Sequence, residues 1–220
     1  DATERSNDRS LAASCAVLGA AVGVFGIAFG VGSVAAGGSV AMTCVMSLLV
    51  FTGASQFSAV SVIASGGSTA AALAGASLLA ARNGVYGLAM SRTLRGSLLK
   101  RIVAAQITID ESTAMSTAQE DPQAARVAFW WTGLSVYVFW NAGTLIGALA
   151  GNAIDPEKFG LDAAFPAGFV AMVIPHLRHR NGLRAAAIGA VICAMTIPFM
   201  PAGVPILCAS VGVLVGVKKP

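Results

Sequence analysis

Charge is what this sequence has least of. Only 11% of its 220 residues are Asp, Glu, Lys or Arg, against about 25% in an ordinary soluble domain. Aromatic residues are also few, at 7%. No Walker loop, HExxH, GxSxG or strand-led dinucleotide fingerprint occurs, which leaves no enzyme signature. The four cysteines, Cys15, Cys44, Cys193 and Cys208, form no CxxC pair and sit in apolar runs. They read as small buried hydrophobes rather than as disulfide or metal ligands. His176 and His179 fall in a basic connector and read as solvated. No metal or cofactor is implied.

Apolar residues fill the space that charge vacates. They make up 56% of the chain, with mean hydropathy +0.76. One water-soluble core of this size cannot hide that much apolar surface. The expected class is therefore all-α: a polytopic transmembrane helical protein with the lipid bilayer as solvent for much of its surface. The net charge of +4 is not spread evenly. Basic residues cluster between apolar runs, at Arg92, Arg95, Lys100 and Arg101, at Arg178, Arg180 and Arg184, and at Lys218 and Lys219. That is a positive-inside pattern, and no nucleic-acid module accompanies it.

The runs divide the chain into a polar tail (1–10), a transmembrane permease domain (11–217) and a basic tail (218–220). The tail lacks the charged-then-apolar-then-small order of a cleaved signal, so 11–36 is expected as a mature helix. Its Gly26 and Gly30 form a GxxxG step for close helix approach. Gly37-Gly38-Ser39 breaks the chain before 40–64. Gly66-Gly67-Ser68 breaks it again before 69–90. The segment 102–118 is either a crossing, a half-span or a surface helix. Further spans are expected at 128–150, 163–174, 183–200 and 203–217, giving seven or eight. Charge counting puts 178–184 and the C-terminus in the cytoplasm. If 102–118 does not cross, 92–101 is inside and the N-terminus outside; if it crosses, both assignments reverse. The first arrangement fits the charges better. Residues 38–50 and 160–172 share a glycine-then-small-apolar pattern, which an inverted repeat with discontinuous helices or membrane composition alone would produce.

Polar residues inside apolar runs mark the candidate site, because a bilayer core offers no water to solvate them. Gly53 lies beside Ser55 and Gln56 in mid-run, a pattern that predicts an unwound helix with free backbone groups. Arg82, Asn83 and Tyr86 share one helix face by their spacing. Asn141 and Trp140 fall near the middle of 128–150. Each has an ordinary alternative. Ser55, Gln56 and Asn141 serve equally as helix–helix hydrogen bonds, Tyr86 as a packing residue, and Arg82 as a cation snorkelling to the interface. Asp110 and Glu111 are either a solvated pair at a helix end or carriers of a coupling proton. Asp162 reads as a helix cap.

Five segments in order carry a resemblance. They are Gly26-Ile27-Ala28-Phe29-Gly30, then Met46-Ser47-Leu48-Leu49-Val50-Phe51-Thr52-Gly53-Ala54-Ser55-Gln56-Phe57, then Arg82-Asn83-Gly84-Val85-Tyr86-Gly87-Leu88-Ala89-Met90, then Asp110-Glu111, then Gly160-Leu161-Asp162-Ala163-Ala164-Phe165-Pro166. Together they resemble the AzlC family, the large subunit of bacterial branched-chain amino acid exporters. The resemblance implies secondary export of valine, leucine and isoleucine, and often methionine, across the inner membrane. It implies coupling to protons and a small AzlD-type membrane subunit as partner. The family often has Asn two residues before the arginine, where this chain has Ala80, with Asn83 just after it. An amino acid zwitterion needs a cation or a helix N-terminus for its carboxylate, for which Arg82 and the amides at 53–56 qualify. Gln56, Asn83, Asn141 or freed carbonyls would take its ammonium. Phe51, Phe57 and Trp140 would take its side chain. A channel for a small polar solute, or a structural subunit with no site of its own, are the rival readings.

Overall fold

The computed structural model describes residues 2–91, 93–153, 170, 173–174, 177–201, 203–212 and 214. Every regular element among the described residues is helical. In chain order these are α1 (Ala2–Ala35), α2 (Val40–Leu49), α3 (Ala54–Ala64), α4 (Thr69–Met90), α5 (Leu98–Gln106), α6 (Asp110–Thr117), α7 (Pro122–Ala153), α8 (Arg180–Thr196) and α9 (Val204–Ala209), with a 3-10 turn at Ser210–Gly212. Among the described residues two stretches are long and apolar enough to cross a membrane, Ser10–Ala35 with mean hydropathy 2.2 and Pro122–Gly151 with 1.3. The expected count of seven or eight spans is not reached among the described residues. The expected span at 163–174 and the cap at Asp162 lie largely or wholly outside them, as does the C-terminal tail.

The Gly-Gly-Ser breaks act as combined stop and start signals. At the first, Gly37 takes φ +92°, which any side chain would resist. Gly37 N–H donates to the Val34 carbonyl at 2.9 Å and Gly38 N–H to Ser33 at 3.0 Å, the double bond that closes a helix end. Ser39 then caps α2, its Oγ accepting from Met42 N–H at 3.1 Å. The second break repeats the design. Gly66 and Gly67 donate to Ile63 and Val62, and Ser68 accepts from Ala71 N–H at 3.2 Å.

Two long helices form the spine. α1 and α7 run parallel: Cys15 meets Ala128, Gly23 meets Phe139, Gly26 meets Trp140 and Gly30 meets Thr144. Backbone touches backbone along this seam. A Cβ added at Gly30 would sit 2.2 Å from the Thr144 carbonyl oxygen, and one at Gly147 would sit 2.1 Å from that of Ile27. The GxxxG step expected in α1 is thus answered by Gly143, Gly147 and Gly151 in α7. Where hydrocarbon surrounds both helices, close dispersion contact is what holds them.

Two helical hairpins fill the space beside the spine. α2 returns from the end of α1, with Ser33 hydrogen-bonded to Thr43 at 2.8 Å and Ser47 to Thr144 at 3.1 Å. The chain then turns at residues 50–53. α3 heads back to the side it came from, pairing antiparallel with α4: Val62 and Ala71 meet over Gly203, and Ser58 faces Gly75. α4 runs on past the turn to Met90, which packs on Ala104, Ile107 and Phe129 near the start of α7. α5 climbs from that end, with Lys100 5.8 Å from the Trp130 ring and Ile107 against Gly133. After a turn at 107–109, α6 descends until Ser116 donates to the Ala125 carbonyl at 2.9 Å.

This corrects the expected topology. Residues 40–64 were expected as one interrupted crossing, and they form a hairpin instead. Residues 98–117 form a second hairpin, entering from the opposite end. Neither hairpin crosses, so α1 and α7 start at the same end, together with the basic stretch at residues 95–101. The expectation that a non-crossing 102–118 separates the N-terminus from 92–101 fails for this reason. The break at Gly53 is present, as the sequence suggested. Within the described residues a long helix followed by a hairpin occurs twice, as α1–α2–α3 and as α4–α5–α6, with the directions reversed. The repeat expected between 38–50 and 160–172 has its second unit largely outside the described residues.

Candidate functional site

The hairpin turns meet halfway along α7. Their own side chains build them. At the first turn, Gly53 takes φ +59° and ψ −90°, a conformation open to glycine. Gln56, wholly buried, bends back over the turn. Its Oε1 accepts from Gly53 N–H at 3.1 Å and Thr52 N–H at 3.4 Å, and its Nε2 donates to the Met46 carbonyl at 3.4 Å. Ser55 hydrogen-bonds the Thr52 hydroxyl. At the second turn Ser112 occupies the position matching Gln56. Its Oγ accepts from Ile109 N–H at 3.0 Å and donates to the Ile107 carbonyl at 2.7 Å.

Two bridges join the turns. On one side, the Arg82 guanidinium contacts the Asp110 carboxylate through Nη1. Its Nη2 donates to the Thr52 carbonyl at 3.5 Å. On the other side, Gln106 Nε2 donates to the Leu48 carbonyl at 2.9 Å and to Leu49 at 3.4 Å, and Tyr137 Oη donates to Leu48 at 3.2 Å. Those carbonyls end α2 and have no partner within it. Sequence reasoning missed Gln106 and Tyr137. Gln106 was legible as a polar residue closing an apolar run, but nothing in the sequence places it beside residue 48.

Between the turns lies a cavity of about 90 Å³. Val22, Phe25, Phe51, Val136 and Trp140 give it apolar walls; Thr52, Gly53, Arg82, Asp110 and Glu111 give it a polar end. The side chains of Arg82 and Asp110 remain 32% and 36% exposed, so the pair is open to a solute. Behind it stands an aromatic cluster. Phe29 stacks on Trp140 at 6.0 Å, and Phe57 meets both edge-on at 5.7 and 5.9 Å.

Of the residues expected in the site, Gly53, Arg82, Asp110 and Glu111 line this cavity. Ser55, Gln56 and Phe57 lie in the first turn of α3 and shape it from behind. Tyr86 stands one turn along α4, within electrostatic reach of Arg82, Asp110 and Glu111. Asn83 and Asn141 are not among the lining residues. Asn141 Nδ2 donates to the Tyr137 carbonyl at 2.8 Å, and the Oδ1 of each asparagine is buried with no hydrogen-bond partner. Among the described residues no group of three metal-binding side chains forms.

The geometry can hold a small molecule with an apolar body and charges of both signs. The N-termini of α3 and α6 both lie at the polar end, where Thr52, Gly53, Ala54, Asp110 and Glu111 line the cavity, and the carboxylates of Asp110 and Glu111 offset the positive field of a helix start. At about 30 Å³ per water in the liquid, a space of about 90 Å³ holds roughly three waters.

Residues 17–154 match the family model described as AzlC protein. The match takes in most of α1, both hairpins, and α4 and α7. No curated protein and no solved structure matches the chain.

Proposed function

This chain belongs to the AzlC family, which is associated with branched-chain amino acid transport, and on that premise we propose that it exports valine, leucine and isoleucine across a bacterial inner membrane. It works as the large subunit beside a small AzlD-type membrane partner. The observation that supports this reading is the Arg82–Asp110 pair at the polar end of an apolar cavity, where two helix turns meet.

In this reading the pair is exchanged for the substrate. The amino acid carboxylate takes the Arg82 fork, and its ammonium takes Asp110 with Glu111 close by. The branched side chain packs on Phe25, Phe51, Val136 and Trp140. Two charges in a dry site are tolerable when each has a counter-charge. Asp110 also offers a route for proton coupling: a proton on its carboxylate cancels its attraction for the substrate ammonium, so proton and amino acid compete for the site, as export driven by an inward proton gradient requires. Gln56 and Ser55 hold the turn that presents Thr52 and Gly53.

The basic end is cytoplasmic in this reading. Arg95, Lys100, Arg101 and Arg126 lie there around Met90 and Trp130, with Glu120 beside Arg126. The described turns at the other end, residues 36–39, 65–68, 197–201 and 203, carry no charged residue. The positive-inside rule then sets the orientation.

The test uses cells fed a valine- or leucine-containing dipeptide, with the partner co-expressed. The chain should lower internal valine or leucine relative to empty vector. Equal accumulation rejects export. Conduction without proton coupling favours a passive facilitator instead. Intact transport in Arg82→Ala and Gln56→Ala favours a subunit without its own site.

A further inference from the structure

The two helix–hairpin units, α1–α2–α3 and α4–α5–α6, differ in how tightly their first seam is closed. In the first half, the end of α1 and the start of α2 are closed on each other. Ser33 and Thr43 share a hydrogen bond of 2.8 Å while 6% and 1% exposed. A Cβ at Gly38 would sit 2.7 Å from the Ser33 carbonyl oxygen. Ser47, with no exposure, bonds Thr144 across to α7. Nothing passes there.

In the second half, the matching seam between the end of α4 and the start of α5 is open. It holds a cleft of about 370 Å³. Arg95 and Arg101 stand among its walls with Ser91, while Met90, Leu94 and Ala105 supply apolar surface. At its inner end stands Thr108, buried on the hairpin turn; beyond it Ile109 and Asp110 line the central cavity, so this turn is the barrier between the two spaces. Among the described residues neither arginine has an acidic partner within ion-pair distance.

We propose that the α4–α5 cleft is the access vestibule through which the amino acid reaches the central cavity from the basic end, its carboxylate meeting Arg95 and Arg101 first. The sealed α1–α2 seam is the counterpart exit, which opens when the second half closes. This rests on the amino acid reading given above. A basic cleft with low-dielectric walls concentrates anionic groups and speeds their arrival, an effect that added salt weakens. The substrate is zwitterionic overall, so the arginines act on the carboxylate end and orient it carboxylate-first toward Arg82. The two halves of an inverted repeat exchanging open and closed states is how such architectures alternate access.

The experiment uses the full chain co-expressed with its partner, in a background with the four native cysteines replaced by serine. Ala105→Cys in the cleft should react with a membrane-impermeant thiol reagent from the basic end, in inverted vesicles. Saturating valine should slow that reaction about fivefold or more. Ser33→Cys should resist the reagent from both faces at rest and react from the opposite face during turnover. Arg95→Gln with Arg101→Gln should raise the KM for valine about three- to tenfold at low salt, with kcat little changed and the salt dependence flattened. Ala105→Cys unreactive, or reactive at one rate with and without valine in a variant that still exports it, would overturn the vestibule. An unchanged KM would overturn the role of the arginines. Failure of the wild type to export valine would instead remove the amino acid reading. The resting contrast between Ala105→Cys and Ser33→Cys would still decide whether the cleft is open and the seam shut.

Discussion

Replacing Gly147 with alanine should destabilise the protein sharply, although alanine is the better helix former. The added Cβ would lie 2.1 Å from the Ile27 carbonyl oxygen and 2.8 Å from its carbonyl carbon. Ordinary contact begins near 3.4 Å, so α1 and α7 must part by roughly 1 Å locally. Both obstructing atoms are backbone, and no side chain can rotate away. Overpacking a tight interior costs about 1–3 kcal/mol, and this site belongs at the upper end. The helical gain of Gly→Ala returns only about 0.5–1 kcal/mol. The net loss is therefore about 2 kcal/mol. At ~2–4 °C per kcal/mol for a chain of this size, the apparent Tm falls by about 4–8 °C. Gly84→Ala provides the control. Nothing lies within 4 Å of its would-be Cβ, so only the helical gain applies and Tm should hold or rise. Thermal aggregation of the two purified variants in one detergent measures both. If Gly147→Ala melts within a degree of wild type, backbone contact between these helices is not what joins them.

Other outcomes follow from the site. Asp110→Asn and Arg82→Gln should each cut valine export about tenfold or more, since a charge-assisted bond is worth about 1.5–3 kcal/mol; vesicle export at matched expression measures it, and near-normal rates would remove the pair from the path. Gln56→Ala leaves the Gly53 and Thr52 amides and the Met46 carbonyl without their partner, so it should lower stability by about 1–3 kcal/mol and weaken export; a Tm equal to wild type contradicts the turn-building role. Gly53→Ala forces a Cβ onto a backbone at φ +59° and should cost about 1–3 kcal/mol, read in the same melt. Gln106→Ala removes one bridge between the hairpins and should cost about 0.5–1.5 kcal/mol, read in the same melt; an unchanged Tm would show the bridge to be dispensable.

The helices themselves were legible in the sequence because their punctuation is local. Gly-Gly-Ser at 37–39 and 66–68 marks stop and start without reference to anything distant. The break at Gly53 was legible for the same reason. Direction was not. An apolar run of 25 residues with a break can cross or double back, and the difference is decided by where α3 packs, against α4 through Ser58 and Gly75. The polar residues in apolar runs picked out Arg82 and Asp110 separately, but their pairing joins residues 28 apart on different helices. Gln56 was read from its burial in an apolar run, yet its hydrogen bonds go to its own turn, which spacing alone does not reveal. Gln106 was missed because its partners are main-chain carbonyls, and carbonyls leave no trace in a sequence.

The parallel spine also constrains how the chain is made. Ser135 donates to Cys15 from 120 residues away. At 5–20 residues per second, roughly 6–24 s of synthesis separate the two. Through that interval the glycine face of the first long helix has emerged from the ribosome while its mate does not yet exist. Lipid tails, or a passing insertase, must occupy that groove and then leave it, so the rate at which the nascent chain exchanges lipid for its own distant segment becomes a step in biogenesis.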